Sequence, residues 1–259
     1  MELEHRIALV TGAGSGIGKA AAQRLARDGA RIALIGRTES ELQATAETII
    51  AAGGHALPLV CDVASATEME DAVRRTIDAF GRLDIVVANA GVNGVWAPID
   101  ELTPEEWDDT LAINLRGTFL TLRYSVPHLR RQGGSIVIVS SINGNRTFTS
   151  PGATAYSATK AAQVAMAKQL AVELGKERIR VNAVCPGAIE TSIDDNTEKR
   201  NVEETEVPVE WPEGDIPLTE GEPGTPDQVA ELIAFLASDR AAHITGVPIY
   251  IDGAQSLLR

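Results

Sequence analysis

Tyr156 and Lys160 stand four positions apart, and their types and spacing suit proton transfer at an oxygen. Nine hydroxyls lie in the stretch SSINGNRTFTSPGATAYSATK, residues 140 to 160. The serine and threonine hydroxyls among them do not ionise usefully near neutral pH, whereas a phenol titrates near about 10 and falls when a cation stands beside it. Residues i and i+4 share a helix face, so a helix here would set the Lys160 ammonium beside the Tyr156 ring. Moving a phenol to neutrality takes roughly 3 pK units, about 4 kcal/mol, which a partly buried cation and one further positive charge together can supply. Taken alone, Tyr-x-x-x-Lys is also what a routine helical surface carries, so the surrounding residues must decide.

A second constellation opens the chain. Thr11-Gly12-Ala13-Gly14-Ser15-Gly16-Ile17-Gly18 ends an aliphatic run and leads into an amphipathic one. Glycines at such a turn allow positive φ and let backbone N–H groups approach a pyrophosphate at a helix N-terminus. The fingerprint G-x-G-x-x-G fits no register here; Gly12, Gly16 and Gly18 instead give G-x-x-x-G-x-G. Asp62, after the run HALPLVC, could accept from an adenine amino group or cap a turn, and Val63 follows it. Asn89, Ala90 and Gly91 are small enough for backbone to lie against a ligand while the Asn89 amide ties neighbouring loops together. An acid about 20 residues past the glycines would bind the ribose 2'-hydroxyl of NAD, and an arginine nearby the 2'-phosphate of NADP. Gly36-Arg37-Thr38 stands there, so Arg37 favours NADP(H), while Glu39 and Glu41 keep NAD(H) as the alternative.

Seven aliphatic runs must position these groups: 6 to 12, 30 to 36, 55 to 61, 83 to 91, 134 to 141, 179 to 187 and 247 to 253. Near-continuous apolar runs suit strands covered on both faces, and the amphipathic spacers are long enough for crossover helices. The pattern predicts an α/β fold: a Rossmann-type doubly wound, seven-stranded parallel sheet with helices on both faces, in a single domain over 1 to 259. Helices are expected over 17 to 27, 40 to 52, 67 to 80, 104 to 131, 154 to 175 and 226 to 237. Thr103-Pro104 and Thr225-Pro226 read as capped starts with first-turn proline, and Thr154 as a candidate cap.

Residues 188 to 224 differ. Between Glu190 and Glu222 twelve acids face only Lys199 and Arg200, a net of -10 out of the chain's -13. Lying outside the carboxyl ends of the strands, this insert reads as a substrate lid rather than a solvated loop. The acidity excludes a nucleic-acid surface and anionic membrane as partners. Cys61 and Cys185 lack metal or disulfide spacing, so no metal is expected and reduced buried thiols are. The start MELEHRIALVTG has no cationic segment leading to a long apolar stretch, which predicts a cytoplasmic soluble protein.

TGAGSGIG at 11 to 18, CDV at 61 to 63, ANAG at 88 to 91, Asn114, Ser141, YSATK at 156 to 160 and PGAIET at 186 to 191 together resemble the short-chain dehydrogenase/reductase family, in its order and over essentially the whole chain. The resemblance implies hydride exchange between NAD(P)(H) and a small-molecule ketone or secondary alcohol, with Tyr156 as acid/base. Ser141 would bind the same oxygen, Lys160 would also hold the nicotinamide ribose, and Asn114 would fix a water linking the lysine to solvent. Relatives place their serine three before a glycine, which selects Ser141 before Gly144 over Ser140. Pro186, Gly187, Ile189 and Thr191 resemble the segment holding the nicotinamide carboxamide. Ser15 replaces a basic residue frequent in NADP-preferring relatives. The 15 positions from Ser141 to Tyr156 exceed the usual spacing by two, which lengthens a pocket wall, where Arg146 and Phe148 are candidate substrate contacts or, equally, exposed loop residues. The resemblance also implies a homotetramer. A 3-oxoacyl-type or small carbonyl reductase is expected, with a sugar or polyol dehydrogenase as alternative. A non-catalytic dinucleotide-binding regulator and a nucleotide-sugar epimerase are the readings from other classes.

Overall fold

The computed structural model describes residues 2–191, 193, 197–207 and 215–258. In chain order the elements are β1 (Ile7–Thr11), α1 (Gly16–Arg27), β2 (Arg31–Gly36), α2 (Glu39–Ala51), β3 (His55–Val60), α3 (Ala66–Phe80), β4 (Ile85–Ala88), β5 (Gly94–Trp96), α4 (Pro104–Leu111), α5 (Gly117–Leu129), β6 (Gly134–Val139), α6 (Thr154–Leu174), β7 (Ile179–Pro186), β8 (Thr197–Lys199), α7 (Pro226–Ala237) and β9 (Pro248–Ile251). All seven aliphatic runs join one parallel sheet in the order β3-β2-β1-β4-β6-β7-β9. The strand order reverses between β1 and β4, and a doubly wound sheet opens a crevice at that point.

Period-two alternation divides the core. Ala8, Val10, Ile32, Leu34 and Val87 face one layer with α1, α2 and α7. Leu9, Ala33, Ile35, Val86 and Ile138 face the other, with α3, α5 and α6. Both faces are therefore covered, which is why the runs contain so little polar residue. Registers such as Thr11 opposite Ile35 and Ala88 opposite Ile138 bring the strand ends level beneath the crevice.

Two local expectations are corrected. The helix expected over 104 to 131 is interrupted by a π-helical turn, Ala112–Arg116, which holds Asn114. Thr154 is not a cap: α6 begins at Thr154 itself, after Ala153, and no side chain caps it. Thr103 and Thr225 do cap, each in a reciprocal capping box with the residue three positions on.

The described parts of the acidic insert are tied to the body. β8 pairs in parallel with β5 as a separate two-stranded sheet. Arg200 donates through Nη1 and Nη2 to the two carboxylate oxygens of Glu106 at 2.9 and 2.8 Å. That hydrogen bond, with help from the Thr103 N–H, holds the Glu106 carboxyl down at about 2. Farther along, Gly224 N donates to Ala188 O and Glu190 N to Gly224 O, closing the base of the insert. Residues 192, 194–196 and 208–214 of the segment 188 to 224 lie outside the described residues.

Helix α1 packs on β1 through Gly18, where an added Cβ would overlap the carbonyl oxygen of Gly12 and crowd the Asn89 amide. Gly18→Ala is expected to cost about 1–3 kcal/mol, measurable as a lowered unfolding midpoint in urea.

Candidate active site

Strand β6 delivers two serines, and hydrogen bonding separates them. Ser140 Oγ donates to Lys160 O at 2.8 Å, so its proton is committed to the backbone of α6. Ser141 Oγ accepts from Asn143 N at 3.2 Å, which leaves its proton for a ligand in the hollow it lines. The role of Gly144 is steric: a Cβ there would lie 2.7 Å from the Lys160 carbonyl carbon. Only glycine lets the turn after Ser141 rest on α6 at Lys160.

Lys160 is buried, and its Nζ donates to Val139 O at 3.0 Å. The same Nζ lies 5.4 Å from the centroid of the Tyr156 ring, as the i, i+4 spacing requires. Burial pushes the ammonium down from 10.5 to about 8, with the Cys185 thiol opposing slightly. Burial likewise pushes the Cys185 thiol up to about 11. Asn114 Oδ1 accepts from Val92 N at 2.8 Å, while its Nδ2 donates to Val92 O at 2.9 Å and Thr159 Oγ1 at 3.2 Å. Its own carbonyl accepts from Gln163 Nε2 and Thr118 Oγ1. Asn114 thus fastens the loop after β4 to α6. Gly91 sits between them, its Cβ position 3.2 Å from Asn114 Oδ1 and 3.6 Å from Lys160 Nζ.

Two hollows meet at Gly91 over the carboxyl ends of the strands. The smaller, of about 240 Å³, is lined by Gly12, Ser15, Arg37, Asp62, Val63 and Ala90. The larger, of about 490 Å³, contains Tyr156, Lys160 and Ser141, with Ile17 and Asn89 on one side and Pro186, Gly187, Ile189 and Thr191 on the other. Gly16 bridges toward Thr191 with φ +50°, and Gly12 holds φ +65°, conformations in which a side chain would be strained. Gly18 serves packing beneath this floor and lines neither hollow. Asn89 Nδ2 donates to Thr11 O at 3.0 Å, tying the loops as its amide suggested. Asp62 Oδ1 accepts from Ala64 N, so one oxygen caps the turn while the residue still faces the smaller hollow. A glycine floor, N–H groups at the start of α1 and an arginine at the far end fit an extended dinucleotide laid across both hollows.

A family model described as enoyl-(acyl carrier protein) reductase matches residues 12–254. The 3-oxoacyl-(acyl-carrier-protein) reductase FabG of Thermotoga maritima is 37% identical over 254 residues, covering 98% of each chain. The chain belongs to the short-chain dehydrogenase/reductase family. Among solved structures, a 3-ketoacyl-ACP reductase from Sinorhizobium meliloti superposes with a TM-score of 0.94 at 61% identity, covering 98% of this chain and 100% of its own. A 3-ketoacyl-(acyl-carrier-protein) reductase from Brucella melitensis complexed with NADH has a TM-score of 0.86 at 34% identity, covering 98% and 99%. As a member of the short-chain dehydrogenase/reductase family, the protein is an NAD(P)(H)-dependent oxidoreductase acting between ketone and alcohol groups.

Two readings are open for Arg146 and Phe148 from sequence, and neither residue lines a hollow as a substrate contact. The Arg146 guanidinium stacks 3.5 Å over the Tyr250 ring, and its Nη1 donates to Ser256 Oγ. Phe148 is 70% exposed and lines neither hollow. Trp96, Asn143, Thr147, Ser150 and Gln255 line the larger hollow instead, and sequence reasoning missed them. Gln255 Oε1 accepts from Ala188 N, bracing the segment after β7. Only the length of the loop after Ser141 signalled any of these residues.

Lys160 binds its proton less tightly in the folded chain than in the unfolded one. Between about pH 8 and 10.5 the unfolded chain therefore holds more protons, and this group's contribution to stability rises with pH. Relative to Lys160→Met, the cofactor-free protein should gain on the order of 3 kcal/mol across that window, as read by urea unfolding at a series of pH values.

Proposed function

We propose that Tyr156 is the acid/base of ketone and alcohol interconversion, Ser141 the donor to the same oxygen, Lys160 the cation that eases loss of the phenol proton, and Asn114 the residue that fixes a water linking the lysine to solvent. The observation that carries this reading is the buried Lys160 ammonium 5.4 Å from the Tyr156 ring, in a hollow that Ser141 also lines. In reduction, Tyr156 gives its proton to the carbonyl oxygen, and in oxidation it takes one from the alcohol. Ser141 keeps that oxygen in place and Lys160 also holds the ribose next to the nicotinamide. The nicotinamide cofactor, when bound, supplies or accepts the hydride.

The glycine loop Gly12, Ser15, Gly16 and Ile17 would hold the pyrophosphate at the start of α1, with Gly18 letting that helix pack close behind it, and Asp62 and Val63 would hold the adenine. Asn89, Ala90 and Gly91 would back the cofactor, with Pro186, Gly187, Ile189 and Thr191 on its carboxamide. We read NADP(H) as the preferred form, because Arg37 lines the smaller hollow; Glu41 lines it too and is the feature that speaks for NAD(H). The substrate is a small carbonyl or 3-oxoacyl compound, with sugars or polyols as the second reading.

The segment 188 to 224 acts in this reading as a lid, supported by the clasp between Arg200 and Glu106 and by the pairing of β8 with β5. Exposed Phe119 on α5 and Val172 on α6 support a homotetramer paired through those helices. The buried free thiols Cys61 and Cys185 suit the reducing cytoplasm.

With NADPH and a panel of ketones, the purified protein should oxidise the cofactor. Tyr156→Phe should lower kcat by at least about a hundredfold while cofactor fluorescence still titrates; undiminished turnover would remove Tyr156 from its role. Measured side by side, the ratio of kcat/KM for NADPH over NADH should fall about tenfold in Arg37→Ala.

A further inference from the structure

The wall that follows Ser141 carries hydrogen-bonding groups that the hydride chemistry does not use. Thr147 is 2% exposed and lines the larger hollow, yet its Oγ1 has no hydrogen-bond partner among the described residues. Buried hydroxyls are nearly always paired, and leaving one unpaired is costly. A lone hydroxyl on the wall of a ligand cavity marks a place where the ligand supplies the partner.

Two neighbours share that wall. Asn143 Nδ2 donates to Ser150 Oγ at 2.9 Å, and both residues line the hollow. This bond uses one amide hydrogen and one serine lone pair, so the Asn143 carbonyl oxygen and the Ser150 proton remain to meet a ligand. Asn143 also touches the proposed reacting site directly, since its N–H donates to Ser141 Oγ. The wall therefore begins beside the reacting oxygen.

Its direction is set from outside. Thr147 N donates to Ile142 O at 3.1 Å, and Gly144 rests on α6. Arg146, the one charged residue between Asn143 and Ser150, is turned to Tyr250 and Ser256. The loop after Ser141 thus offers the hollow a neutral set, completed by the rings of Trp96 and Tyr156, whose centroids are 6.5 Å apart, while Lys160 and Glu190 line other parts of the hollow. Among the described residues, the loop from Asn143 to Ser150 turns no cation to the hollow to meet a carboxylate or phosphate, and beyond it the Lys199 ammonium stands over the Trp96 ring at 5.5 Å from its centroid. A thioester carbonyl has only lone pairs, and the Asn143 oxygen needs a donor. A hydroxyl both donates and accepts, as Thr147, Asn143 and Ser150 together require.

We infer that the substrate carries a neutral hydroxyl on a carbon close to its reacting carbonyl, and that Thr147, with Asn143 and Ser150, binds that hydroxyl. The inference rests on the hydride-transfer reading of Tyr156 and Ser141. It selects hydroxy ketones and polyols over bare acyl chains.

The test compares 1-hydroxy-2-butanone with 2-butanone, and with acetoacetyl-CoA as the thioester probe, using NADPH and NADH. The wild-type protein should favour the hydroxy ketone over butanone by at least about tenfold in kcat/KM, because a site built to hydrogen-bond a group rejects the analogue lacking it. That ratio should collapse in Thr147→Val, which keeps the shape and removes the hydroxyl, and persist in Thr147→Ser, which restores it. Equal turnover of the two butanones, a ratio unchanged in Thr147→Val, or preference for the thioester would overturn this inference while leaving the hydride-transfer reading intact. Absence of cofactor oxidation with all three probes would overturn both.

Discussion

A lysine ammonium buried in an aliphatic interior is the constraint around which the crevice is arranged. Among the described residues, the Lys160 ammonium donates to the carbonyl oxygen of Val139, the last residue of β6. For that oxygen to reach the ammonium, β6 must end beneath the second turn of α6, and the turn after it must lie flat on the helix. The bond from Ser140 to the Lys160 carbonyl and the absent side chain at Gly144 meet both conditions. Gly91 meets a third, because any larger residue would press on Asn114 and the ammonium together. A charge that loses hydration binds its few remaining partners tightly in position, and here those partners are the ends of strands.

Much of this arrangement is legible in the sequence because it depends on periodicity and on residue size. Strands buried on both faces leave uninterrupted aliphatic runs, and all seven were visible as such. The pair Tyr156 and Lys160 follows from helical spacing, whereas the preference for Ser141 over Ser140 rests on resemblance to relatives that place a serine three before a glycine. Gly18 is the converse: its place in the glycine motif suggested cofactor contact, and its structural work is to let α1 approach β1.

Other features depend on long-range partners, which local pattern does not encode. The π-helical turn at Asn114 exists because the side chain must reach both polar atoms of Val92, 22 residues earlier. Nothing in AINLR distinguishes that turn from ordinary helix. The pairing of β5 with β8 joins three-residue segments about 100 positions apart, too short to show alternation. Loop length alone leaves Arg146 free to face substrate or solvent, and it is the Tyr250 ring, near the far end of the chain, that captures it. Its neighbour Thr147 lines the hollow instead.

Glu106 carries two obligations at once. Its Oε2 accepts from the Thr103 N–H at 2.9 Å as half of a capping box, and the same carboxylate receives both arms of Arg200. The first turn of α4 therefore fixes the glutamate independently of Arg200. When the two surfaces meet, rotamer freedom is surrendered mainly by the arginine, and the entropy loss of forming the contact falls on one side chain instead of two. A rigid receptor for a polar loop is thus obtained from a residue that helix initiation had already ordered.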